Sequence, residues 1–192
     1  MDILSWLAVN FDLPILDWIA GNLWCPLLDK IMPVITALGN GGIFWIAFSV
    51  LLMVFRKHRR AGFSMGGALL MGLLLCNIIL KPLVARIRPY DYQLEYFDKV
   101  IPLLIEAPHD FSFPSGHTIA SFEAATALLI HNRKLGIPAM VVAVLVAFSR
   151  LYLYVHYPTD VLASMVLGVG LAFLASFLVK KGYALYESKK SK

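Results

Sequence analysis

GFSMGGALLMGLLLCNIILKPLVARIRP, residues 62–89, decides the fold class. Residues 62–80 form an apolar run without a single charge, close to the roughly 20 residues a helix needs to cross a bilayer. The run ends in Lys81, Arg86 and Arg88, with Pro89 behind them. Further apolar runs lie at about 43–55, 115–131, 137–155 and 159–179. This pattern predicts an all-α polytopic membrane helix bundle of five or six transmembrane helices. So little chain separates the runs that residues 1–192 read as a single membrane-embedded domain. Its N-terminal part, 1–41, is less regular. Residues 3–24 are apolar but interrupted by Asn10, Asp12, Pro14 and Asp17, which suits an interfacial helix as well as a span. A short helix over 26–38 is expected to stop at Gly39-Asn40-Gly41-Gly42.

Composition agrees. The chain is 59% hydrophobic and 15% charged, with a mean hydropathy of +0.74, whereas soluble domains carry about 25% charged residues. The net charge of +5 gathers in Arg56–Arg60, in Arg133-Lys134 and in the tail from Lys180 to Lys192. No basic stripe with interleaved aromatic residues occurs, so nucleic acid is not an expected partner. The clusters flank spans, where the positive-inside rule expects cytoplasmic charge. Threading the spans from that rule puts all three clusters on one side and residues 81–114 and 156 on the other. The expected location is the cell (plasma or inner) membrane, multi-pass, with the chemistry facing the extracytoplasmic side. Cys25 and Cys76 have no metal-ligand spacing and read as two buried, unpaired thiols. No basic residue precedes Lys30, so a cleavable signal peptide is not expected.

Three short blocks at the ends of these runs carry chemistry. Lys81 and Arg88 stand seven residues apart, two helical turns, so they are expected to project from nearly the same face. Cations at a membrane edge are functional candidates by default; Arg86, between them, is expected to snorkel toward the interface. Pro114-Ser115-Gly116-His117 opens a helix whose free N–H groups favour an anion, with Ser115 either capping the helix or binding a phosphate oxygen. Ser149-Arg150 precedes His156, and Pro158 sets Asp160 in the first turn of the last helix. From there the carboxylate is expected to accept a hydrogen bond from the His156 ring, leaving the other nitrogen as nucleophile or base. Fixed cations, two histidines and one carboxylate suit phosphoryl transfer. Acids are too few for a magnesium or two-metal site, so no metal is expected. His58, His109 and His131 lie apart from the blocks, and the acidic loop 90–113 reads as a solvated cover, with a substrate-selecting lid as the alternative.

Together the blocks read K-x6-R-P, P-S-G-H and S-R-x5-H-x3-D over residues 81–160. This resembles the tripartite signature of the type 2 phosphatidic acid phosphatase superfamily, shared with bacterial acid phosphatases and vanadium haloperoxidases. The resemblance implies a metal-independent, cofactor-free phosphatase. His156 would attack phosphorus to form a phosphohistidine, Asp160 would orient it, and His117 would protonate the leaving oxygen. Lys81, Arg88, Ser115, the Gly116 N–H and Arg150 would hold the phosphoryl oxygens. The implied partners are the bilayer and a membrane lipid phosphate, with no obligatory protein partner. Small bacterial members suggest undecaprenyl diphosphate; phosphatidylglycerophosphate or phosphatidic acid is the alternative, and a non-enzymatic lipid-phosphate binder or transporter is another.

Overall fold

The computed structural model describes residues 3–190, and no strand occurs among them. In chain order, α1 spans Ile3–Leu23 with a π-helical turn at Ala8–Asp12, and α2 spans Pro26–Ala37. Then come α3, Ile43–Val54, and α4, Arg59–Leu73, which the π-helical Leu74–Leu80 continues. Two short helices follow, α5 over Lys81–Val84 and α6 over Pro89–Phe97. The last three are α7, Gly116–His131, α8, Arg133–Tyr152, and α9, Pro158–Lys190.

Local chemistry places these boundaries. Pro26, Pro89 and Pro158 each open a helix, where a missing N–H does no harm. Asn132 caps α8, its Oδ1 accepting from the N–H groups of Lys134 at 3.0 Å and Leu135 at 3.3 Å. Gly41 and Gly42 have φ of +57° and +67°, a region open to glycine and costly for other residues. The chain turns there, bending the pair Pro26–Ala37 and Asn40–Val54 by 41°.

Four helical stretches are long and apolar enough to cross a membrane: Ile3–Leu23, Arg59–Phe97, Arg133–Tyr152 and Pro158–Lys190; the bent pair makes a fifth. The 16-residue α7 stands among them, buried almost continuously from Thr118 to Leu128 and packed on α4, α8 and α9. Apolar lipid gives no hydrophobic drive for helices to associate, so close packing through small side chains must hold them. Ala124, Ala125 and Ala127 of α7 accordingly meet Ala143 and Ala147 of α8 and Ala172 and Ala175 of α9 in one buried cluster. At Gly62 an added Cβ would sit 2.8 Å from the Ser49 carbonyl oxygen, an approach only glycine permits. Val50, Ile78, Val141 and Phe173 point outward, as lipid-facing residues should.

The ends of the bundle differ. At one, Arg60 pairs with Glu187 and stacks on Tyr183, and Ser64 meets His131. The basic loop and the end of α9 therefore share that end, while the three chemical blocks gather at the other. Lys192 of the basic tail lies outside the described residues. Cys25 and Cys76 are unpaired, Cys76 buried and Cys25 half-buried.

Two expectations change. Lys81 and Arg88 do not lie on one helical face: α5 ends at Ala85, whose φ is +47°. Pro89 then holds Arg88 extended, at ψ 152°, because proline disfavours a helical predecessor. The segment 90–113 is not all loop either, since α6 runs to Phe97.

Candidate active site

Asp110 does what helical spacing does not. Arg88 donates through Nε to the Asp110 backbone oxygen at 2.7 Å and through Nη2 to its Oδ1 at 2.5 Å, and Lys81 is ion-paired to its Oδ2. The loop thus draws two cations from different elements to one point. Burial alone would raise the Asp110 carboxyl. The hydrogen bond from Lys81 and the charge of Arg88 outweigh that and hold it well below its ordinary value of 3.8.

His156 lies in the turn between α8 and α9 and is 1% exposed. Arg88 Nη1 donates to the Val155 carbonyl at 2.6 Å and lies 3.3 Å from His156 Nε2. A guanidinium can only donate, so Nε2 is the nitrogen that presents a lone pair. Burial first, then the charges of Arg88, Arg150 and Lys81, hold this imidazole well below its ordinary 6.5. It stands neutral, as a nucleophile must.

The expected hydrogen bond from His156 to Asp160 is not made. His156 Nδ1 is 3.6 Å from Asp160 Oδ2 and has no hydrogen-bond partner. The carboxylate is already occupied: Oδ1 accepts from Arg86 at 2.5 Å, and Oδ2 from Ser112 Oγ at 2.5 Å and the Tyr157 N–H at 3.1 Å. Arg86 does not snorkel. It is 6% exposed, lies 3.8 Å over the Tyr157 ring, and bridges Asp160 to Asp12 of α1 at 2.7 Å. Asp12, fully buried, also accepts from the Thr159 N–H and hydroxyl. A membrane-buried carboxylate needs such a partner, and that requirement was the signal in the sequence for both residues.

The remaining candidates divide. Arg150 is buried, donating through Nη1 to Thr36 Oγ1 at 2.6 Å, with Nε unpartnered. The His117 Nε2 is 2.8 Å from Asn40 Oδ1, and its ring packs so closely on Gly39 that a Cβ there would approach within 2.6 Å. The glycine turn after α2 therefore seats the second histidine. Ser115 turns inward: its hydroxyl meets Thr118 Oγ1 at 2.9 Å, and its N–H donates to Ser164. Lys81, Arg88, Gly116, His117, Arg150 and His156 line one cavity of about 890 Å³, which continues between α3 and α4 past Ile46, Leu69 and Leu73. Ser115 and Asp160 stand behind its wall. Among the described residues no three His, Cys, Asp or Glu side chains form a metal-ligand group. The cup offers fixed cations, N–H donors and two imidazoles, a set that suits a tetrahedral or five-coordinate anion.

Comparison with known proteins shows the family and the fold. The model of the PAP2 superfamily matches residues 61–183. An undecaprenyl-diphosphatase of Sulfolobus acidocaldarius is 34% identical over 132 residues, 68% of this chain and 61% of that protein. The chain thus spans less than two thirds of that relative's length. Among solved structures, a transmembrane PAP2-type phosphatidylglycerolphosphate phosphatase from Bacillus subtilis superposes with a TM-score of 0.69 at 29% identity, over 92% of this chain and 90% of that one. Aquifex aeolicus LpxE gives 0.71 at 25% identity, over 86% and 94%.

Proposed function

We propose that this chain, which belongs to the PAP2 superfamily, hydrolyses a phosphate or diphosphate monoester of a membrane lipid through a phosphohistidine. One observation carries the reading: a buried, neutral His156 presents Nε2 beside Arg88, on the wall of a cavity shared with Lys81, Arg150 and His117. In this reading Lys81, Arg88, Arg150 and the Gly116 N–H take the oxygens of the transferring group. Charge spreads over these oxygens in the transition state, so preorganised donors stabilise it most there. His156 Nε2 attacks in line as the lipid oxygen leaves with a proton from His117. Asp160 closes the 3.6 Å gap to Nδ1 as the ring gains charge; such contacts often tighten only with substrate bound. His117 then takes a proton from the water that cleaves the phosphohistidine. Ser115 acts from behind, holding the start of α7.

The substrate proposed first is undecaprenyl diphosphate, converted to undecaprenyl phosphate, with the cup on the extracytoplasmic side of the cell membrane. The relative from Sulfolobus supports the lipid, and the basic loop at the opposite end of the bundle supports the orientation. The likeness to the Bacillus phosphatidylglycerolphosphate phosphatase over 92% of the chain favours a second reading, a phosphoglyceride. The experiment is phosphate release in detergent from undecaprenyl diphosphate, phosphatidylglycerophosphate and phosphatidic acid, by the wild type and by His156→Ala. Loss of a covalent nucleophile should lower turnover at least about a thousandfold. A folded His156→Ala protein with full activity would overturn the assignment.

A further inference from the structure

Phosphate chemistry leaves one acid in the cavity unused. Glu123 lies on α7, six residues beyond His117; it is 1% exposed, and neither carboxyl oxygen has a hydrogen-bond partner among the described residues. The side chain lines the cavity among Ile46, Leu69, Leu73 and Ile119. Across from it α4 carries Gly72, where an added Cβ would overlap the carboxyl group. The bundle therefore makes room for this side chain without giving it a partner. An isolated carboxylate in such a place is costly unless it is neutral or partnered, and an ionisable group inside a span is a functional candidate by default. A neutral carboxylic acid carries one O–H donor, and the missing component is an acceptor.

Depth narrows the choice. Helices rise about 1.5 Å per residue, so Glu123 begins about 9 Å below His117 along α7. Helical side chains lean back toward the N-terminus, which returns the carboxyl group toward the catalytic end. A lipid with its phosphate in the cup sends its next few bonds past this point. In a phosphoglyceride those bonds carry ester carbonyls. In a polyprenyl diphosphate they carry the inner phosphate and then only hydrocarbon.

We infer that Glu123 reads the leaving part of the lipid, donating a hydrogen bond to an acceptor oxygen there, either an ester carbonyl or the inner phosphate of a diphosphate. The inference rests on the lipid-phosphatase reading. Its test uses matched pairs: dioleoyl phosphatidic acid against its dialkyl-ether counterpart, and farnesyl diphosphate against farnesyl phosphate. For the wild type, one pair should show a kcat/KM ratio of at least about five to ten in favour of the lipid bearing the acceptor, one hydrogen bond being worth that factor and the diphosphate adding its better leaving group. Glu123→Leu should lower that ratio about five- to tenfold, and Glu123→Gln, which keeps an N–H donor, should retain most of it. Collapse of the acyl-to-ether ratio identifies a carbonyl; collapse of the diphosphate-to-monophosphate ratio identifies the inner phosphate. Wild-type ratios near one in both pairs overturn the inference, and this holds even if Glu123→Leu does not fold. So does a Leu variant that slows every substrate alike, p-nitrophenyl phosphate included. Failure of the wild type to release phosphate from any lipid sinks the phosphatase reading itself, a different result from ratios near one.

Discussion

Asp160 and Asp110 each hold an arginine, one behind the cup and one in it, and they hold it in opposite ways. Asp160 is fully buried, and its oxygens are occupied by Arg86, Ser112 and the Tyr157 N–H. Asp110 sits on the irregular loop with its side chain 52% exposed, paired to Lys81 and Arg88. The first arrangement has no exchangeable member. Its charges, Asp12, Arg86 and Asp160, come from three separate elements and stand away from the cavity. The second lines the cavity, and both its cations are ones a phosphate would want. Buried ion pairs are costly to break and do little for net stability, whereas half-exposed ones exchange partners readily. The buried set fixes where His156 stands; the exposed set keeps the cations in place until an anion displaces the Asp110 carboxylate.

Arg86→Ala tests the buried set most severely. It leaves Asp12 and Asp160 buried without their shared cation, a change expected to cost about 3–5 kcal/mol. Thermal unfolding in detergent should show the loss, and phosphate release should fall with it. Asp12→Asn is the gentler cut: the amide still accepts from Thr159 but loses the ion pair with Arg86. Because Asp12 touches no substrate, kcat should fall while KM stays near the wild-type value. An Arg86→Ala protein as stable as the wild type would show that the two carboxylates do not depend on this arginine.

Asp110→Asn should behave differently. Removing one half-exposed partner should change stability by less than about 1 kcal/mol. It also frees Lys81 and Arg88 from a competing anion, so vanadate should bind about fivefold more tightly, the equivalent of about 1 kcal/mol. Inhibition constants measured on the purified protein give the comparison directly. Weaker vanadate binding in the variant would mean that Asp110 orders the cations instead of competing with the ligand. The two regions would then differ less than their exposure suggests.

The same contrast explains what could be read from the sequence. Lys81, Arg88, His117, Arg150 and His156 stand out because each is polar at the edge of an apolar run, and all of them line the cavity. The apolar helices were legible for the same reason, although 115–131, expected as a span, is the 16-residue α7, too short to count among the crossing helices. Arg86 and Asp12 were visible as residues but not as a pair, since 74 positions and four helices separate them. Periodicity carried Lys81 and Arg88 to one helical face, but the left-handed turn at Ala85 interrupts it, and Asp110 restores their meeting by a contact no spacing encodes. Asp160 was rightly set in the first turn of α9, but its hydrogen bonds depend on Ser112 and Arg86, which reach it from another part of the chain. Glu123 lay unnoticed within a run that otherwise reads as an ordinary span.

The smallest expected effect concerns His156 itself. Its imidazole is held below the ordinary 6.5 by burial and by Arg88, Arg150 and Lys81, so between that folded value and 6.5 the unfolded chain binds a proton that the folded one does not. Stability therefore rises with pH across this window and falls as pH drops below 6.5. Asp110 is shifted the same way and so acts in the same direction: its depressed value adds stability above 3.8 that is lost only under stronger acid. Asp110 contributes no change while pH stays well above 3.8, so the histidine can be read alone just below 6.5. Wild type and His156→Asn should unfold at diverging temperatures as pH is lowered from neutrality, the wild type losing more below 6.5. Parallel curves would mean that the ring protonates as easily folded as unfolded. The cations around it would then be better screened than their distances imply, and both carboxylates would have to share the task of neutralising them.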